Sequence, residues 1–381
     1  MTPYYVEIFA EQTDSRRQLL TEAIEQELSK LGVHRTVSVN IASAPLDGEP
    51  AVGVYFGNSP IVNNTQMTTL LSQSLEASRA VIPVVNNLAT YSSHVPDCLR
   101  PINGFAWSGQ DSAERLCRKV LEELGIEDRQ RRAFISHKRE DGLAAAEQLH
   151  EHLSQSGFYP FIDRFHITPG RNVQSEIADQ LEDCALLLLI ETPSAHASEW
   201  VFDEVDYALS HQLGIHIVTW PGEITALPGT AGLPRQRLEE SDLTSLRGYD
   251  IFTSSAIDRI IASVEAEHAR AMVRRRRYLL ISAEEAARDA GQECLPLPGW
   301  RMTVKGQNSS SIVQVTPRLP TVEDLYSLDE IRADFSEQHS GVLIHAARRL
   351  PNARRKVLAW AGESRDLALV PENAIGKYWR A

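Results

Sequence analysis

Long apolar runs are missing from this sequence. The longest, Ala185 to Ile190, falls far short of the ~18 residues that mark a membrane helix, and the N-terminus carries no basic-then-apolar leader. A cytoplasmic protein with no membrane partner is therefore expected. Cysteine is scarce as well: Cys98, Cys117, Cys184 and Cys294 stand far apart, with no CxxC pair and no histidine at zinc-ligand spacing. That pattern indicates neither a disulfide framework nor a structural zinc. His166, His196, His211 and His216 are scattered rather than grouped, so no metal site is expected. With neither GxGxxG nor a Walker A present, hydride transfer and ATP hydrolysis are not favoured. Positive charge is the last shortage, with 38 Lys+Arg against 51 Asp+Glu and a net charge of -13. The deficit is uneven. Residues 273–381 hold 17 Lys+Arg against 13 Asp+Glu, a net +4, so the first 272 residues carry -17. An acidic body argues against nucleic acid as a partner and leaves only the C-terminal part as a candidate surface for it.

What is present is a long, well-patterned chain. At 381 residues it exceeds one ordinary core, and at ~100 to 200 residues per domain two or three domains are expected. From Arg132 onward, short apolar runs alternate with amphipathic ones, the pattern of a parallel sheet covered on both faces. Strands are predicted at Ala133 to Ser136, Phe158 to Ile162, Ala185 to Ile190 and Ile215 to Trp220. Helices are predicted at Asp141 to Ser156, stopped by Gly157, at Val173 to Leu181, and from about Ser255 to Ala271. The loop DRFHITPG, Asp163 to Gly170, follows the second strand.

The first part of the chain repeats this plan in degenerate form. VEIFAEQTD from Val6 stands where AFISHKRED from Ala133 stands later, and AVGVYFGNSP from Ala51 parallels ALLLLIETPS from Ala185. VIPVV at Val81 to Val85 parallels IHIVTW, and Asp111 to Leu124 parallels the closing helix. The remaining part opens on the basic run Arg274 to Arg277, read as a solvated linker. Strand-like runs follow at Trp300 to Val304, Ser311 to Val315, Gly341 to His345 and Leu367 to Val370, with a helical stretch at Ala353 to Ala361. Three α/β parts result: 1–128, 129–272 and 273–381, the last a small module without a chemical motif.

The segment SEWVFDEVDYAL, Ser198 to Leu209, carries the chemistry. With Ser198 as N-cap, helical spacing puts Val201, Val205, Ala208, Leu209 and Gln212 on a core stripe and Glu199, Asp203, Asp206 and Ser210 on a solvated face. Trp200, Glu204, Tyr207 and His211 form a third face at the edge of the buried stripe, where a cleft would open. One carboxylate is thus carried between aromatic rings. Ligands of open α/β sheets bind beyond the carboxyl ends of the strands, which here present Ser136, His137, Asp163 and Thr192. Lys138, Arg139 and Arg164 are cations within reach of that edge, as surface charges or as partners for a diphosphate. Trp200 either caps the core or stacks on a substrate ring. Counted from the shared proline of the repeat, Leu71 occupies the position of Glu204, which makes the first copy a scaffold or sensor.

AFISHKRED, FYPFIDRFHITPG and ASEWVFDEVDYAL, in this order and at these separations, resemble three motifs of the Toll/interleukin-1 receptor (TIR) domain. The resemblance covers about Arg131 to Ala271, with His137 where the first motif usually has tyrosine. It implies a flavodoxin-like parallel sheet in the middle of the chain, preceded by a degenerate TIR-like domain. A subset of this family cleaves NAD+, releasing nicotinamide and leaving ADP-ribose or a cyclic isomer, and the catalytic glutamate of that subset matches Glu204. NAD+ would be a substrate, with no cofactor needed. The resemblance further implies a homo-oligomer built through TIR domains, with sites completed by a neighbouring subunit, and a role in anti-phage immunity beside a sensor or downstream effector. His166, Pro169 and Gly170 lie in the segment matching the so-called BB loop, which would close the site or dock on a neighbour. Two other readings are a TIR scaffold that signals without catalysis and a nucleoside deoxyribosyltransferase-like enzyme.

Overall fold

The computed structural model describes residues 4–11, 13–30, 37–41, 50–57, 65–77, 79–109, 111–124, 126, 131–162, 181–297, 300–306, 310–333, 335, 339–346, 350–363 and 365–380. Ile126–Met272 makes the bulk of one compact unit, while Tyr4–Glu27, Val37–Gly125 and Val273–Ala381 make another. The loop Asp163 to Gly170, with Asp163, Arg164, His166, Pro169 and Gly170, lies outside the described residues, as does all but the end of the helix predicted at Val173 to Leu181.

The N-terminal part of the chain runs β1 (Tyr4–Phe9), α1 (Arg16–Lys30), β2 (Val37–Ile41), β3 (Ala51–Gly57), α2 (Thr65–Glu76), β4 (Val81–Val85), α3 (Tyr91–His94), β5 (Phe105–Ala106) and α4 (Ser112–Leu124). Its five strands form a parallel sheet in the order β2-β1-β3-β4-β5. The central part runs β6 (Arg132–His137), α5 (Arg139–Gln155), β7 (Tyr159–Ile162), β8 (Leu186–Glu191), α6 (Glu199–Ser210), β9 (Gly214–Thr219) and β10 (Arg235–Arg237). These strands are also parallel, in the order β10-β9-β8-β6-β7. Numbered from its own first strand, each sheet reads 2-1-3-4-5, so the repeat seen in the sequence is a repeat of topology. A hairpin of β11 (Leu243–Leu246) and β12 (Tyr249–Phe252) follows.

Strand β8 is buried along its whole length because helices cover both faces of its sheet. Leu186, Leu188 and Ile190 pack with Ala145, Ala146 and Leu149 of α5 on one face. Leu187 and Leu189 pack with Val201, Val205 and Ala208 of α6 on the other. That alternation fixes which strand-end residues look toward α6 and which toward α5.

The closing helix is longer than its sequence pattern indicated. Helix α7 (Ser254–Asp289) runs 36 residues without interruption. No glycine or proline occurs within it to stop it. Gly291, with φ +75°, ends it, and the Gly291 and Gln292 amides reach back to Arg288 and Ala287. Its first half packs Ile257, Ile260 and Val264 beside α5. A Cβ added to Gly214 would lie 2.6 Å from the Ala271 Cβ, so only glycine lets β9 start beneath this helix. The run Arg274 to Arg277 is accordingly helix and not a linker, and its middle two members are buried. Arg275 makes a two-pronged bond to Glu372 (2.6 and 3.2 Å). Burial lowers Arg276 to about 10 although Glu123 lies nearby, and burial likewise raises Glu123.

The last part consists of β13 (Glu293–Leu297), β14 (Arg301–Lys305), β15 (Ser310–Thr316), α8 (Val322–Ala333), β16 (Ser340–His345), α9 (Asn352–Glu363), β17 (Leu367–Pro371) and α10 (Ile375–Tyr378). Strands β13 to β15 are antiparallel and β15 to β17 parallel, in sequence order across one sheet. Leu279, Leu280, Ala283 and Ala287 of α7 cover one face and α8 and α9 the other. No helix among the described residues is long and apolar enough to cross a membrane.

Candidate active site

Helix α6 starts where Ser198 accepts a bond from the Val201 amide, the expected cap. Its buried positions are Val201, Glu204, Val205 and Ala208. Two members of the expected core stripe fall outside it. Leu209 is exposed. Gln212 lies beyond the helix end in the left-handed region, φ +56°.

Glu204 is only 5% exposed, and its Oε2 accepts a hydrogen bond of 2.5 Å from the Ser136 hydroxyl at the carboxyl end of β6. That length lies at the short end of the O–H···O range. Trp200, one turn earlier on the same flank, is 48% exposed. One turn later the Tyr207 and His211 rings stack at 3.7 Å, and the Tyr207 hydroxyl donates to Glu182 (3.1 Å). The flank thus descends from an open indole to a buried carboxylate to a closed aromatic pair.

His137 and Thr192 are placed on the other side of the sheet. Because strand side chains alternate, His137 follows Ser136 onto the α5 face, where it and Thr192 border Gly142. Both are buried. Lys138 precedes the first turn of α5 and Arg139 opens it, the former half-buried and the latter exposed. Among the described residues no three His, Cys, Asp or Glu side chains gather as a metal ion requires.

Two residues that sequence reasoning left aside organise this edge. Asp141, in the first turn of α5, accepts from the Thr192 hydroxyl (2.7 Å) and from the Ser194 amide (3.0 Å). It holds the start of the segment that delivers α6. An acid at a helix start satisfies the helix dipole by itself, which is why its spacing gave no separate signal. Glu191 ends β8 on the α6 face. It accepts from Thr219 Oγ1 (2.9 Å), the Leu227 amide (3.2 Å) and both Nε and Nη2 of Arg235 (3.2 Å each). A carboxylate closing an otherwise apolar strand was the available signal. Asp141→Ala removes two bonds to a carboxylate, each worth roughly 1.5–3 kcal/mol. Amide exchange at Ser194 is expected to quicken by about 10-fold or more while β8 stays protected. Unchanged exchange at Ser194 would remove Asp141 from this role.

The family model described as TIR domain matches residues 133–260. This segment is a TIR domain. Among solved structures, the TIR domains of the activated Roq1 resistosome directly recognizing the pathogen effector XopQ share 18% identity with this chain, at a TM-score of 0.23. That match covers 24% of this chain and 58% of the other, so the chain spans less than two thirds of that relative's length. A fatty acid ABC transporter substrate-binding protein from Thermomonospora curvata matches at 13% identity and a TM-score of 0.20, over 82% of this chain and 92% of its own. At such TM-scores neither likeness defines the architecture of the whole chain. No curated protein matches.

The first sheet offers an internal contrast to the TIR domain. Leu71 is fully buried in the core beside Phe9 and Val85. At the carboxyl edge of its strands stands Arg16, bonded through Nη2 and Nε to the Asp14 carboxylate (2.7 and 3.0 Å), through Nη1 to Asn86 Oδ1 (2.8 Å) and through Nη2 to the Gly57 carbonyl (3.3 Å). The guanidinium also lies 4.9 Å over the Phe56 ring. Phe9 and Leu71 thus take the places of Ser136 and Glu204 in one apolar cluster, while the ion pair stands where Asp141 stands in the second copy.

Proposed function

We propose that the TIR domain cleaves the nicotinamide N-glycosidic bond of NAD+, with Glu204 as the catalytic group. The carrying observation is Glu204 itself: buried, oriented by the Ser136 hydroxyl at 2.5 Å, and one helical turn from a half-exposed indole. Glycosidases ordinarily need a second carboxyl group to protonate a poor leaving group. Nicotinamide leaves from a cationic pyridinium as a neutral molecule, so that acid is dispensable. What remains is to stabilise positive charge developing on the ribose ring, and a fixed carboxylate in a low-dielectric setting supplies this electrostatically. Trp200 is placed to stack on a flat ring of the substrate.

In this reading the chain is an anti-phage effector that acts on NAD+ as hydrolase or ADP-ribosyl cyclase once its TIR domains assemble. Trp200, Phe202 and Leu209 on α6 and Tyr159 on the edge strand β7 are exposed, as an assembly surface requires. The test is incubation of the purified chain, at high concentration with a crowding agent, with NAD+ or with free nucleosides. Nicotinamide release from NAD+ alone is expected, and chromatography of the ribosylated product separates hydrolysis from cyclisation. Turnover of nucleosides in its place would favour a deoxyribosyltransferase-like enzyme. Release of nothing under any assembling condition would favour a signalling scaffold.

A further inference from the structure

The C-terminal module has a half-open cavity of about 390 Å³ between α9 and the sheet, a size typical of small-ligand pockets. Its origin lies in how α9 is seated. Of the helix's twelve residues only Leu358 and Gly362 are buried. At Gly362 a Cβ would lie 2.8 Å from the Leu367 carbonyl, so the helix backbone presses on the start of β17 there. Toward its N-terminus Ala353, Lys356 and Val357 are exposed, and Leu350 and Arg355 line the space beneath. The space left under the helix is a wedge whose lining runs from Leu350 and Arg355 to Glu363 and Leu367. The wedge reaches the last residues of two parallel strands, His345 of β16 and Pro371 of β17, the edge at which α/β sheets receive ligands.

The walls are mainly apolar, from Leu325, Leu358 and Leu369, while Arg355 and His345 bring donors to the strand-end side. Arg355 spends one guanidinium nitrogen on the Leu350 carbonyl (3.2 Å) and lies in the first turn of α9. The acid of the lining, Glu363, sits two helical turns away at the pinned end. We infer that this cavity binds a small amphipathic anion, its apolar body lying between the leucines and its carboxylate or phosphate head at Arg355 and His345. The site is separate from Glu204 and does not depend on the TIR chemistry.

Calorimetric titration of the full chain with octanoate, octyl phosphate and octanol tests it. At least one of the two charged probes is expected to bind one-to-one and about tenfold or more tighter than octanol, and the better of them identifies the head group. Arg355→Gln should bring the charged probes down to the octanol level. Ala359→Trp, which fills the wedge from an exposed position, should abolish binding of all three, with circular dichroism melts showing that both variants fold. Octanol binding as tightly as the anions, binding unaffected by both variants, or no binding by the parent chain would each overturn the proposal.

Discussion

Glu204→Gln is expected to lower nicotinamide release by about 100-fold or more without loosening the fold. Glutamine keeps the size of the side chain, and its carbonyl oxygen still accepts from the Ser136 hydroxyl now 2.5 Å from Oε2, so packing in α6 is preserved. What disappears is the negative charge facing the developing cation. Removal of one preorganised electrostatic partner costs about 10²–10³ in rate, or about 2.7–4 kcal/mol of barrier. Ser136→Ala retains the charge but frees its orientation, so a smaller loss, about tenfold in kcat, is expected. Steady-state kinetics of the two single variants and the double variant decide the matter. Equal release by Glu204→Gln and the parent chain would take Glu204 out of the mechanism. A Ser136→Ala loss as large as that of Glu204→Gln would give the hydroxyl a chemical part of its own.

Glu191→Ala should be the most destabilising single change near the site. It leaves the Arg235 guanidinium, 13% exposed, without its carboxylate, and it also strips the Thr219 hydroxyl and the Leu227 amide of their acceptor. Breaking a buried pair from one side costs about 3–5 kcal/mol, which for a domain of this size lowers the melting temperature on the order of 10 °C. Replacing both partners by apolar residues, Glu191→Leu with Arg235→Met, should recover most of that loss, because the penalty comes from the orphaned charge. Scanning calorimetry reads both outcomes. A melting temperature unchanged in Glu191→Ala would show that the pair does not hold β8, β9 and β10 together.

The sheet was legible because its signal is local. AFISH, LLLLI and IHIVT are apolar runs that only a doubly covered strand explains, and they appear as β6, β8 and β9 within a residue of the expected ends. Glu204 was legible for a related reason: helical spacing set it apart from both the core stripe and the solvated face. Strand β10, three residues of RQR, has no hydrophobic period and is defined by pairing with β9 alone. Helix α8 buries only Leu325 and Leu328, too few to stand out from its polar residues. Strand β13 carries Pro296, a residue that ordinarily argues against a strand and is tolerated here at the sheet edge. The partners of Asp141 and Glu191 come from positions 28 to 53 residues away, distances no local window of sequence spans. The arginine run was misleading since charge alone does not reveal that Glu372 and Glu123 wait for it.

The uninterrupted course of α7 bears on any attempt to excise the TIR domain. A chain ended after Met272, the end of the middle part expected from the sequence, would sever an α-helix in mid-run. The last four carbonyls would lose the amides of the following turn, and the apolar side of Ala269, Ala271 and Met272 would sit on a fraying terminus. Ala271 is the residue that roofs Gly214, so the damage would reach the first residue of β9. Gly291 is the natural stop, and a fragment carried through Gln292 keeps both capping amides.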